Sequence, residues 1–170
     1  GVTEMFSDEA FPPVDKIASA NAYIGGFPVA AALASGADIV VTGRCVDSAV
    51  TLGACIYEFG WSVDELDKLA AGSAVGHLIE CGPQVTGGNF TDWEKVADSL
   101  YKVGYPIAEV SKDGSCDLYK PAGTGGIVNK GTVAEQLLYE IGDPAAYVVS
   151  DVVCDFTQMR LEEVGESRVH

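Results

Sequence analysis

The 170-residue sequence is nearly half hydrophobic and carries 25 acidic against 10 basic residues, a formal charge of −15. That balance allows a sizeable core and argues against a nucleic-acid backbone or an anionic membrane surface as partner, since both are bound by clustered Lys and Arg. No apolar run approaches the ~18–20 residues of a membrane span, and the acidic opening lacks a signal-peptide layout.

Phe11-Pro12-Pro13 reads as rigid extended chain, followed by a mildly apolar stretch over Ile17–Ile24 that Gly25-Gly26 breaks. Pro28 suits the first position of a helix running through Val29–Ser35, with Gly36 as its left-handed stop. The β-branched run Asp38-Ile39-Val40-Val41-Thr42 predicts a buried strand. A turn through Gly43-Arg44-Cys45-Val46 leads to Asp47, read as the N-cap of a buried helix over Ser48–Phe59 that Gly60 ends. Ser62-Val63-Asp64-Glu65 is a capping box that opens a short helix through Ala71.

From Gly72 to Phe90 the density of glycine predicts a long, ordered, functional loop. Asp113-Gly114, between Pro106–Val110 and Cys116–Tyr119, is a hairpin signal. Thr132-Val133-Ala134-Glu135 reads as a second capping box, starting a helix with Val133, Leu137, Leu138 and Ile141 on one face and Gly142 at its end. Ala146–Phe156 predicts a strand or strand pair, and the charged run Glu162–His170 reads as unstructured. The expected fold is α/β: a layered sheet with flanking helices and a β-hairpin, either a single domain or part of a larger one, with no internal boundary.

Five widely spaced cysteines, with no C-x-x-C pair, read as reduced thiols of a cytoplasmic protein. Two histidines, His77 and His170, are too few for a His-rich metal cage, and the sequence assigns no cofactor.

Two segments share one design. At Thr42–Asp47 and at Lys120–Thr132 an extended stretch passes through glycines towards a helix N-terminus, whose unpaired amides suit a carboxylate or phosphate. Arg44 would add a bidentate donor and Lys120 a point charge. Gly123, Thr124, Gly125 and Gly126 would let backbone approach the anion. The pattern is neither G-x-G-x-x-G nor a Walker A loop, and Asp47 and Thr132 serve equally well as plain caps. In the glycine-rich middle, His77 and Glu80 suit general acid–base work, with the carboxylate orienting the imidazole. Cys81 is a weaker candidate nucleophile. Asn21 and Gln84 would orient a carbonyl. All of this requires the two glycine turns to open into one cleft lined by the His77 segment.

Several stretches resemble the acyclic terpene utilisation AtuA family: Ser19–Gly25, Ala37–Asp47, Phe59-Gly60-Trp61, Gly76–Gly82, Thr86-Gly87-Gly88, Lys120–Gly126, Glu135–Glu140 and Asp143–Tyr147. Gly26-Phe27 departs from the family's usual Ala-Trp. The resemblance implies a fragment corresponding to the later half of the family's main domain and a link to catabolism of acyclic terpenes through CoA thioesters. It implies no agreed catalytic residues. The expected activity is a lyase or hydratase acting on a branched acyl-CoA or carboxylate, a small anionic substrate, in a homo-oligomer. The other reading is a non-catalytic binding or assembly module.

Overall fold

The structure, a computed structural model, describes residues 3–170. Three helices follow one another in the first half: α1 (Gly26–Ala34), α2 (Ala49–Phe59) and α3 (Leu66–Glu80). Each ends as its sequence directs or runs beyond it. Gly36 takes φ +88 just past α1, and Gly60 (φ 67) donates its N–H to the Ile56 carbonyl to close α2. α1 begins two residues before Pro28, because the Asp151 carboxylate accepts the Gly26 amide at 2.8 Å and so caps the helix from a distant segment. α2 has Ser48, not Asp47, at its N-cap, and no side chain closes a capping bond there.

The largest correction concerns α3. The expected loop from Gly72 is instead helical to Glu80, followed by a 3-10 turn at Gly82–Gln84. Gly72 and Gly76 cost helix propensity, but they let α2 lie against α3. A Cβ at Gly76 would stand 2.6 Å from the Ser48 carbonyl oxygen, and one at Gly72 would stand 2.8 Å from Leu52. Gly53 and Gly26 do the same between α1 and α2. Of the capping box at Ser62 only the reciprocal bond forms, with the Glu65 carboxylate accepting the Ser62 amide, and the Ser62 side chain caps nothing.

The strand expected at Asp38–Thr42 is absent. The run is irregular, with Ile39 83% and Val41 91% exposed. Nothing pairs with it, although Ile24 and Cys45 on either side of α1 form an isolated parallel bridge.

The hairpin β1 (Ile107–Val110) and β2 (Cys116–Tyr119) forms in the expected register, Ile107 facing Tyr119 and Val110 facing Cys116. The chain end joins it, since β5 (Glu163–Gly165) and β6 (Arg168–Val169) complete an antiparallel sheet ordered β1-β2-β6-β5. The run Glu162–His170 is thus structured rather than loose. Arg168 pairs across strands, reaching Asp117 at 2.7 Å and Glu109 at 2.8 Å. β3 (Tyr147–Val148) and β4 (Val153–Cys154) form a separate antiparallel pair, which matches the expected strand pair.

α4 (Lys130–Leu137) starts earlier and ends earlier than predicted. Asn129 caps it reciprocally with Thr132, which is therefore the third helical residue and not the cap. Val133 and Leu137 are buried as expected, whereas Leu138 lies outside the helix and is exposed. Helices and layered sheets together give the α/β character expected, with both sheets antiparallel.

Three apolar clusters meet around α3. Leu52, Ile56, Trp61 and Leu69 join α1, α2 and α3; Leu78, Leu118, Val133 and Val169 join α3, α4 and the large sheet; Ala74, Cys154 and Phe156 join α3 to the β3–β4 pair. Among the described residues no helix is long and apolar enough to cross a membrane.

Replacing Gly76 by Ala should lower stability by about 1–3 kcal/mol, the usual cost of overpacking, because the neighbour it meets is backbone that cannot rotate away. The check is a urea unfolding curve. A variant as stable as the parent would mean that α2 and α3 do not approach this closely.

Candidate functional site

α3 positions the two residues expected to do chemistry. His77 and Glu80 lie three apart on the helix, so they share a face, and His77 Nδ1 stands 2.9 Å from Glu80 Oε1. The imidazole is 2% exposed and sits 6.0 Å from the Tyr147 ring and 6.4 Å from the Phe156 ring, between α3 and the β3–β4 pair. Its Nε2 is buried without a partner. That settles the tautomer on physical grounds: the proton belongs on Nδ1, where it is donated to the carboxylate, because an unpartnered N–H in an apolar wall costs more than a bare lone pair.

Glu80, unlike His77, reaches open space. It lines a cleft of about 480 Å³ with Cys45, Asp47, Val50, Thr51, Gly76, Cys81 and Glu140. A neighbouring hollow of about 420 Å³ shares Asp47 and adds Tyr23, Tyr147 and Ser150. The Glu80 side chain, 14% exposed, faces this cleft, and the imidazole lies behind it. Val50 and Thr51 belong to the first turn of α2, whose amides precede the first intrahelical bond, Leu52 N–H to Ser48 O.

The cleft is acidic. Asp47, Glu80 and Glu140 border it, and their charge is felt by neighbouring groups. Burial raises the Cys81 thiol above its usual range and the Glu80, Glu140 and Asp47 carboxylates add to the rise, opposed by a hydrogen bond with Gln136. Burial, then Glu80, likewise raises Tyr147. A thiolate nucleophile at Cys81 is disfavoured on both counts. Among the described residues no group of three or more His, Cys, Asp or Glu side chains could hold a metal ion.

The remaining expected site residues fall into two groups. Arg44 flanks the cleft by sequence, donates to the Tyr23 hydroxyl at 2.9 Å and lies 4.8 Å over its ring. Asn21 is exposed in the irregular segment just before Tyr23. Gln84 donates to Gln136, which donates to the His77 carbonyl at 3.0 Å, so it braces α3 against α4 rather than lining the cleft.

The loop Lys120–Gly126 lies elsewhere, and none of its residues lines the cleft. Lys120 Nζ donates to the Thr124 carbonyl at 2.8 Å, and the Thr124 hydroxyl donates to Pro121 O at 2.6 Å. Gly125 and Gly126 press on the backbones of Ser99 and Thr86, leaving no room for a Cβ at either. Two helix N-termini are occupied by the chain's own carboxylates: Asp151 at α1, and Glu163, which accepts the Lys130 amide, at α4. The two glycine turns do not share one cleft.

Sequence reasoning missed Glu140, Tyr147 and Asp151. Tyr147 and Glu140 both fall in stretches that carried the family resemblance, but neither spacing nor composition places Tyr147 beside His77 or Glu140 in the cleft with Glu80.

The family model for the acyclic terpene utilisation family protein AtuA matches residues 3–170. The chain belongs to the AtuA family. Membership points to a role in acyclic terpene utilisation. A search of curated proteins and of solved structures finds no match. Within this AtuA-family chain, the Gly76–Gly82 stretch that helped carry the resemblance holds the His77–Glu80 pair and the Gly76 contact.

All five cysteines are free. Burial, then Asp117, pushes the Cys116 thiol up to about 12, and burial pushes Cys154 up to about 11. An unfolded thiol ionises near pH ~8.5, so between there and pH 11 the unfolded chain sheds protons that the folded one keeps. Stability must therefore fall as pH rises through that window. Urea midpoints at pH 8 and pH 10 should show the decline, and native iodoacetamide labelling at pH 8 should leave Cys116 and Cys154 unmodified by mass spectrometry.

Proposed function

We propose that this protein is an enzyme of acyclic terpene catabolism, of lyase or hydratase type, acting on a branched acyl-CoA or carboxylate at the cleft beside Glu80. The observation that carries the reading is a carboxylate at the lip of a cleft with a buried imidazole fixed behind it at 2.9 Å. Glu80 takes or delivers the substrate proton. His77 orients Glu80 through the Nδ1 proton and balances its charge change, as a second group behind a general base does. The free amides at the start of α2, at Val50 and Thr51, suit a carbonyl oxygen on which negative charge develops. The three carboxylates favour entry of the neutral acyl end alone, with a CoA phosphate group left outside, near Arg44. Five unpaired thiols support a cytoplasmic location.

The test is hydration or dehydration of a branched enoyl-CoA, followed by loss or gain of the enoyl absorbance. Glu80→Gln should cut turnover by ~10²–10⁴, and His77→Gln should lower kcat less while leaving KM unchanged. Unchanged turnover in a folded Glu80→Gln protein would remove Glu80 from the mechanism.

A second reading, an assembly module, has one observation in its favour: Ile39 and Val41 stand almost fully exposed in a β-branched run whose composition suits burial on both faces. Light scattering distinguishes the two. If assembly is the function, the parent is a stable oligomer, and replacing Ile39 and Val41 by Ser dissociates it; a monomeric parent ends this reading.

A further inference from the structure

On the other side of α3 from the Glu80 cleft lies a further hollow, of about 400 Å³, between the helix and the four-stranded sheet. Its wall is aliphatic: Val75 and Leu78 from α3, Leu118 from β2, Val133 from α4, Leu161, and Val169 from β6. Protein interiors rarely leave voids larger than a water molecule, and an apolar void holds water poorly because water needs two or more polar partners. The volume falls within the ~300–1,000 Å³ typical of ligand pockets. The exposed members of the lining, Met159, Arg160, Glu162 and His170, mark where it meets solvent.

Arg160 decides the ligand class. The chain has three arginines. Arg168 is held between Asp117 and Glu109, and Arg44 lies on Tyr23. Among the described residues Arg160 makes no ion pair and no side-chain hydrogen bond, although the chain carries 25 acidic residues. His170 is engaged by Asp117 at 2.6 Å; Glu162 exchanges backbone hydrogen bonds with His170, and its carboxylate also lines the mouth. A free guanidinium at the mouth of an aliphatic cavity is complementary to one kind of small molecule, an apolar chain ending in a single carboxylate, which the guanidinium can grip with two parallel hydrogen bonds.

We infer that this hollow is a binding site for a medium-chain aliphatic carboxylate, with the chain between α3 and the sheet and the carboxylate on Arg160. The site uses a different face of α3 from the Glu80 cleft and does not depend on the reading of that cleft.

Calorimetric titration of the whole chain with decanoate, below its micellar concentration, and with decanol, tests it. The parent should bind both saturably, decanoate more tightly. Arg160→Gln, an exposed change that leaves the core alone, should weaken decanoate at least tenfold and leave decanol as it was. Ala71→Leu, which places a larger side chain in the cavity lining from a half-buried helical position, should abolish both. Glu80→Gln should leave both unaffected. No saturable binding by the parent would overturn the proposal, as would undiminished binding to a folded Ala71→Leu protein. Equal loss of decanoate and decanol in Arg160→Gln would overturn the assignment of the carboxylate to Arg160.

Discussion

Everything in this molecule is arranged around the distance at which α2 approaches α3. Helices whose contact positions are glycine can pack closer than the usual interaxial separation of 8–10 Å allows for larger side chains. Gly76 sits where any side chain would strike the Ser48 backbone. That contact brings the start of α2, with Val50 and Thr51, beside the last turn of α3, with Glu80. A larger residue at Gly76 would push the α2 amides away from the carboxylate, so the same glycine that tightens the core also sets the width of the cleft. α3 is buried on its other sides by α4, the β3–β4 pair and the hairpin. It can therefore hold His77 in an apolar wall and still set Glu80 against the cleft one turn later.

That arrangement explains which features the sequence conveyed. Helix stops at Gly36 and Gly60, the β1–β2 hairpin around Asp113-Gly114 and the paired strands after Ala146 are local: a turn residue with the necessary backbone freedom lies inside the element it ends. The i, i+3 relation of His77 and Glu80 was legible as a condition, true on a helix and empty in a loop. What hid the helix was its glycines. Read one at a time, Gly72 and Gly76 weaken a helix, and only the position of α2, set by residues twenty to thirty positions earlier, turns them into contacts. The same confusion applies to Gly125 and Gly126. Glycine permits close approach to a ligand or to neighbouring backbone, and composition does not distinguish the two. Here the neighbour is the chain itself, at Ser99 and Thr86.

The run Asp38–Thr42 fails in the opposite direction. Its pattern of consecutive β-branched residues belongs to strands covered on both faces, yet a strand needs a ladder partner, and pairing is a property of two segments. The isolated bridge between Ile24 and Cys45 has the parallel sense of a strand–helix–strand unit built across α1, and it extends no further. Local preference is satisfied only where tertiary contacts supply the other half, and at Ile39 and Val41 they do not.

Electrostatics then separates the candidate sites. Anion binding was expected wherever glycine led to a helix start, but helix starts are supplied with carboxylates from within: Asp151 at α1 and Glu163 at α4 already occupy the positive ends of those dipoles. The start of α2 is different. Ser48 places no side-chain oxygen on its amides, and the nearest acidic groups, Asp47 and Glu80, line a cleft rather than cap the helix. A cleft bordered by three carboxylates repels an anion from its interior, so in the proposed reading the charged group of the substrate stays at the rim while its neutral acyl part enters. An arginine without an ion pair, Arg160, lines the hollow on the opposite face of α3. The helix thus separates the two proposed sites, with the acidic cleft along one face and the Arg160 guanidinium at the mouth of the hollow along the other.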